Sequence, residues 1–156
     1  MSYLSFHSPL GMLTVSEDVD PEGTPVLVSL DWGWAGDGGA ATPLLDRVKE
    51  QLESYFDGIL KTFDLPLAPA GTAFQKRVWA QIAAIPYGRT ARYGDLALAV
   101  GSAPRAIGGT CGRNPIPIII PCHRVLGGNG SLGGYSGWNG LDTKRYLLGL
   151  EGALPD

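Results

Sequence analysis

A thiol and an imidazole lie side by side at Cys122-His123, directly after the run Asn114-Pro115-Ile116-Pro117-Ile118-Ile119-Ile120-Pro121. Sulfur is a strong nucleophile only as thiolate, and a nearby histidine is a common means of making one. Prolines at 115, 117 and 121 fix φ and remove backbone donors, so the approach to the thiol is stiff. A free cysteine in an apolar stretch is ordinarily a buried core residue. The adjoining His123 and Arg124, and the proline brackets, point instead to a presented nucleophile. The other cysteine, Cys111, could pair with Cys122 in principle. Met1 to His7 lacks a basic region followed by an apolar core, so no export signal is evident, and a reducing compartment with free thiols is expected. Two cysteines and two histidines without ligand-type spacing make no case for zinc.

The elements that must position this pair follow from periodicity. Residues 3–7, 11–16 and 25–31 are short, rich in β-branched or aromatic residues, and separated by Ser8-Pro9 and Pro21-Glu22-Gly23; they are expected to form a small antiparallel sheet. Gly33 to Ala41 is a glycine-rich loop. Thr42 then caps a helix with Pro43 at its first position, Leu44, Leu45, Val48, Leu52 and Tyr55 on one face, and Asp57-Gly58 at its end. Leu65 to Gly71 is proline-rich and marks the linker. Beyond it, Thr72 caps a helix bearing Phe74, Val78, Trp79 and Ile82, and Ile85-Pro86-Tyr87-Gly88 ends it. Two short helices follow, Tyr93 to Val100 and Ala103 to about Cys111, joined at Gly101-Ser102 in a helix-turn-helix pattern. A last helix spans about Gly140 to Gly149. The fold class is therefore α+β: an N-terminal sheet-and-helix domain with linker over 1–70, and a mostly helical domain over 71–156.

Composition and charge narrow the function. At 156 residues with 44% hydrophobic and 17% charged content, the chain can bury a core, and no apolar run reaches the ~20 residues of a membrane span. The net charge of −3 argues superficially against nucleic acid, but its distribution does not. Residues 1–70 hold eleven acids and three bases, whereas 71–125 hold seven bases (Lys76, Arg77, Arg89, Arg92, Arg105, Arg113, Arg124) against Asp95 alone. A basic segment that also carries the nucleophile is the footprint of a polyanion partner.

Pro121-Cys122-His123-Arg124-Val125, preceded by Asn114-Pro115-Ile116-Pro117, resembles the active-site signature of the O6-alkylguanine-DNA alkyltransferases. Further blocks follow that family's order: Phe74 to Trp79, Ile85 to Gly88, Tyr93 to Ala97, Arg105 to Gly109, Gly134 to Gly137 and Leu147 to Gly152. The resemblance covers about residues 71 to 152. It implies irreversible, single-turnover transfer of the alkyl group from O6-alkylguanine, and from O4-alkylthymine, to Cys122, with no cofactor. His123 would reach the thiol through a water, with Glu151 orienting the imidazole, and Tyr93 would donate a proton to the departing base.

The resemblance also implies a partner: double-stranded DNA held by its minor groove with the damaged base flipped out. Arg105 would fill the gap in the stack, and Ala106, Gly108 and Gly109 would let the recognition helix approach closely. Asn114 would be the hinge between that helix and an active-site strand. Arg113, Arg124 and Val125 complete the expected DNA and substrate contacts. Tyr135, Ser136 and Gly137 would wall the alkyl pocket, with a backbone donor from Ser136 to the guanine O6. The absence of a side chain at Gly137, with Pro117 as an apolar surface, would admit a benzyl group, although Trp138 follows. Some members of that family carry an N-terminal structural zinc; no cysteine precedes position 111 here, so none is expected. A cytoplasmic, nucleoid-associated monomer is expected, or a nuclear one in a eukaryote. Three rivals stand beside this reading: a lesion-binding protein without transfer activity, a cysteine hydrolase, and a regulator using the helix-turn-helix alone. Cys122 itself counts against the first.

Overall fold

The computed structural model describes residues 1–36, 39, 41–133 and 140–155. The chain divides into two compact units, Met1–Ala70 and Gly71–Asp156.

In the first unit, β1 (Ser2–Ser8), β2 (Gly11–Val19) and β3 (Pro25–Trp32) form an antiparallel sheet in the order β1-β2-β3. Each strand runs somewhat further than its apolar alternation suggests, because ladder hydrogen bonds continue past the last buried residue. The register slips between Ser16 and Glu17, a bulge in the middle of β2. Helix α1 (Pro43–Phe56) packs on this sheet, burying Leu45, Val48, Leu52 and Tyr55 completely. Thr42 Oγ1 accepts from Leu45 N at 3.1 Å, and Pro43 stands where a missing N–H does no harm. The proline-rich segment then returns to the sheet, where Leu27 N donates to Pro66 O at 2.8 Å and Ala68 N to Leu27 O at 2.9 Å.

The second unit is mostly helical. Helix α2 (Ala73–Ala83) opens with a reciprocal cap: Gln75 N donates to Thr72 Oγ1 at 3.1 Å, and Thr72 N donates to Gln75 Oε1 at 3.0 Å. Trp79 is buried and donates from Nε1 to Thr110 O at 3.1 Å, pinning α2 to the helix that carries Thr110. Strand β4 (Ala91–Arg92) leads into α3 (Tyr93–Val100), and α4 (Pro104–Cys111) follows. Gly101, at φ 69°, makes the tight turn between them, a left-handed conformation that favours glycine. After a single 3-10 turn at Cys122–Arg124, β5 (Val125–Leu126) pairs in parallel with β4. Helix α5 (Leu141–Leu150) closes the unit. Among the described residues no helix is long and apolar enough to cross a membrane.

Candidate active site

The expected active-site strand is not a strand. Pro115, Pro117 and Pro121 cannot donate to a ladder, and the chain from Ile116 turns on itself instead. Ile119 N donates to Pro117 O at 2.9 Å, Ile120 N to Ile116 O at 2.9 Å, and Cys122 N to Ile120 O at 2.8 Å. Ile116, Ile118, Ile119 and Ile120 are all buried, so the loop is anchored by its own side chains. Asn114 fastens its two ends. Its Oδ1 accepts from Ile116 N at 2.9 Å, and its Nδ2 donates both to Ile120 O at 2.8 Å and to Cys122 Sγ at 3.2 Å. The hinge asparagine is thus also a hydrogen-bond donor to the sulfur, an interaction that favours thiolate.

His123 is fully buried. Its Nε2 lies 2.7 Å from Glu151 Oε2. An ionised carboxylate only accepts, so Nε2 carries the proton and Nδ1 keeps a lone pair. Nδ1 has no hydrogen-bond partner among the described protein atoms. Glu151 caps the C-terminal end of α5 and is itself buried. It also accepts from Arg124 Nε at 2.8 Å and Arg124 Nη2 at 3.1 Å. Arg124 Nη1 donates to Ile85 O at 2.6 Å. Burial lowers the imidazole's pKa below its ordinary value, against the pull of the Glu151 carboxylate, so His123 is a neutral base near pH 7.

Two further residues belong to the site: Lys144, which local sequence does not flag, and Cys111, which it flags only as a possible partner for Cys122. Lys144, on α5, is fully buried and donates from Nζ to Val125 O at 2.7 Å. Burial lowers its ammonium to about 8, and the charges of Cys111 and Cys122 oppose that shift. Cys111, the last residue of α4, shares a hydrogen bond with the Cys122 thiol. That bond, together with burial, holds Cys122 well above the ordinary thiol value, while Asn114 and Lys144 pull it down. Cys111 is lowered, chiefly by the same bond. Tyr93, the first residue of α3, stands beside Lys144, whose Nζ is 6.0 Å from the ring centroid. Burial and the neighbouring thiols raise its hydroxyl to about 12, so Tyr93 keeps its proton at neutral pH.

The other expected contacts divide. Arg105 and Arg113 are exposed, at the start of α4 and just past its end. A Cβ built on Gly108 or Gly109 would meet nothing within 4 Å, so neither glycine is required by packing within the chain. Ala106 lies on the same helix and is half-buried. Arg124 corrects the sequence reading: it is only 6% exposed and committed to Glu151 and Ile85, so it is not a surface contact for DNA. Pro117 and Val125 are buried, and the Val125 carbonyl already accepts from Lys144. Tyr135, Ser136, Gly137 and Trp138 lie outside the described residues.

Fold and site together define a class: helix-turn-helix proteins whose nucleophilic cysteine sits in the interior, one residue before an imidazole held by a carboxylate. Two family models cover nearly the whole chain: 6-O-methylguanine DNA methyltransferase, ribonuclease-like domain, over residues 1–69, and its DNA binding domain over residues 73–153. The methylated-DNA--protein-cysteine methyltransferase of Methanosarcina acetivorans is 42% identical over 163 residues, spanning 98% of this chain and 99% of its own. The constitutive enzyme of that name from Bacillus subtilis is 42% identical over 156 residues, spanning 96% of this chain and 94% of its own. The crystal structure of Mycobacterium tuberculosis OGT in complex with DNA superposes with a TM-score of 0.85 at 39% identity, covering 98% of this chain and 94% of that one. The chain belongs to the 6-O-methylguanine DNA methyltransferase family.

Proposed function

We propose that this protein repairs O6-alkylguanine in double-stranded DNA by moving the alkyl group irreversibly onto Cys122. One observation carries the reading: Asn114 Nδ2 points at Cys122 Sγ from 3.2 Å, while the next residue, His123, is tied to Glu151 at 2.7 Å with Nδ1 left as a base. The name of the relatives, methylated-DNA--protein-cysteine methyltransferase, describes the same chemistry.

The transfer is a displacement at carbon. His123 Nδ1 takes the Cys122 proton through a bridging water, and Glu151 stabilises the imidazolium that results. The thiolate attacks the alkyl carbon in line. A carbon–sulfur bond forms as the bond to O6 breaks, and that electron pair passes to the guanine. Tyr93 keeps its hydroxyl proton up to about pH 12 and donates it toward the ring, so the base leaves neutral. Lys144 is a positioning residue: it holds the Val125 carbonyl and supplies a positive charge near the sulfur. Among the described residues no group in the site breaks the thioether formed, and each molecule acts once. Arg105 and the bare face of α4 fit a helix laid in the minor groove beside an extruded base.

Incubation with duplex DNA containing O6-methylguanine tests this. Intact mass should rise by one methyl group, mapped to Cys122, at one per protein. Cys122→Ala should abolish transfer and keep binding. Methyl on Cys111, or many turnovers per molecule, would overturn the assignment; turnover through an acyl-enzyme would indicate a hydrolase.

A further inference from the structure

The transfer steps leave Arg124 without a part, yet three elements converge on it. It lies in the 3-10 turn beside His123 and is 6% exposed. Its planar head donates to three acceptors: Nε to Glu151 Oε1 at 2.8 Å, Nη2 to Glu151 Oε2 at 3.1 Å, and Nη1 to Ile85 O at 2.6 Å. The Tyr87 ring stands against the guanidinium, its centroid 5.8 Å from the central carbon. Tyr87 also donates its hydroxyl to Leu150 O at 3.3 Å, one residue before Glu151. The turn after α2 therefore holds both the guanidinium and the end of α5. Glu151 Oε2 is shared: it accepts from Arg124 Nη2 and lies 2.7 Å from His123 Nε2.

We propose that Arg124 is a positioning residue of the transfer: its guanidinium balances the Glu151 carboxylate and fixes its plane, so that His123 is oriented by a charge already neutralised. This rests on the reading of Cys122 as the alkyl acceptor. A count of charges carries the argument. With Nε2 protonated and Nδ1 bare the imidazole is neutral, and Glu151 and Arg124 cancel. Removing the guanidinium leaves a negative charge buried beside the imidazole, which is costly unless a proton is taken up. Nε2 already holds one, so the new proton lands on Nδ1, the atom that must be bare to act as a base. The groups acting on His123 agree. Burial holds the imidazole down, Glu151 from α5 pulls it up, and Arg124 from its own turn and Lys144 from α5 push it down. Tyr87 adds no charge, since burial and the Glu151 carboxylate raise its hydroxyl above the ordinary tyrosine value.

Charge and geometry are separable here. A lysine carries the charge on a single nitrogen, which cannot lie in plane with both carboxylate oxygens and reach the Ile85 carbonyl as well. The charge alone keeps Nδ1 bare; the fork aims the carboxylate, and through it the ring.

The test reads the imidazole directly, in the full chain labelled with nitrogen-15 at histidine. A His7→Gln background, at an exposed position of β1, leaves one imidazole to observe. At about pH 7 Nδ1 should be bare in that protein and protonated once Arg124→Met is added. Relative to wild type, single-turnover methyl transfer by Arg124→Met should lose at least about tenfold more at pH 6.5 than at pH 8.5, the equivalent of one pKa unit on the imidazole. Arg124→Lys should keep Nδ1 bare and lose rate equally at both pH values. Combining Arg124→Met with Glu151→Gln removes both charges and should return Nδ1 to its bare state; this double variant decides the matter where Arg124→Met alone does not fold. A bare Nδ1 in Arg124→Met, or a loss of equal size at both pH values, would overturn the proposal, Arg124 then acting through packing alone. So would a protonated Nδ1 in the double variant, or a wild-type rate in Arg124→Lys. The spectra need no DNA, so failure here is distinguishable from failure of the alkyl-acceptor reading, which shows as no methyl on Cys122.

Discussion

His123 and Lys144 are titratable groups buried against their charged forms, and each limits the pH range on one side. His123 must be neutral to accept the thiol proton, and burial keeps its pKa below the ordinary 6.5. Transfer should therefore persist below pH 6.5 and fall only as the buried imidazole finally protonates. Stability follows the same group with a defined sign. Below about 6.5 the unfolded histidine binds a proton that the folded one refuses, so stability declines as pH falls through that window. Single-turnover rates and urea denaturation between pH 5 and 8 check both statements. Lys144, lowered to about 8, supplies its charge only on the neutral side. Lys144→Met should slow transfer at pH 7 by about tenfold, the equivalent of one pKa unit on the thiol. The deficit should shrink above pH 8, where the wild-type ammonium is itself lost. A deficit that is constant with pH would mean that Lys144 acts only through packing.

At the scale of elements, α4 separates contact from stability. Gly108 and Gly109 sit in a helix, where glycine is about 1 kcal/mol less favourable than alanine, and the space beside them is open. Gly109→Ala should accordingly raise stability by up to about 1 kcal/mol while weakening binding to duplex DNA; thermal denaturation and a DNA titration read the two signs. Arg105→Ala should impair repair in duplex DNA much more than dealkylation of free O6-benzylguanine, which needs no extruded nucleotide. The caps at Thr42 and Thr72, the turn at Gly101 and the bounds of α3 and α4 were legible because each rests on neighbours in sequence. The β4–β5 pair was not: two residues a side carry no alternation to read. The strand expected at Cys122 comes from the family resemblance alone, and the prolines at 115, 117 and 121 forbid the ladder it would need. Lys144 is invisible in the sequence because a lysine on a helix reads as surface; the Val125 carbonyl it holds lies nineteen residues away. Arg124 was misplaced for the same reason.

For the whole molecule, charge is divided by unit. Six of the seven bases between 71 and 125 are exposed, Arg124 being the exception, while the first seventy residues are strongly acidic. DNA binding should therefore weaken steeply as salt rises despite the net charge of −3, with little preference among sequences. A filter-binding series across salt concentrations checks it; a flat dependence or one strongly preferred site would favour a regulator.

The loop that presents the thiol contains one residue whose backbone conflicts with its side chain. Ile118 has φ 72°, the left-handed region, and is 1% exposed. A β-branched residue is strained there, by roughly 1–3 kcal/mol. Glycine would relax the backbone but leave a hole; asparagine would suit the backbone but bury an amide without partners. No single replacement meets both demands, so Ile118 occupies a local optimum with no easy neighbours. In the language of mutational robustness, this position is brittle: the loop beside the nucleophile has little room to drift, and change there requires two substitutions made together.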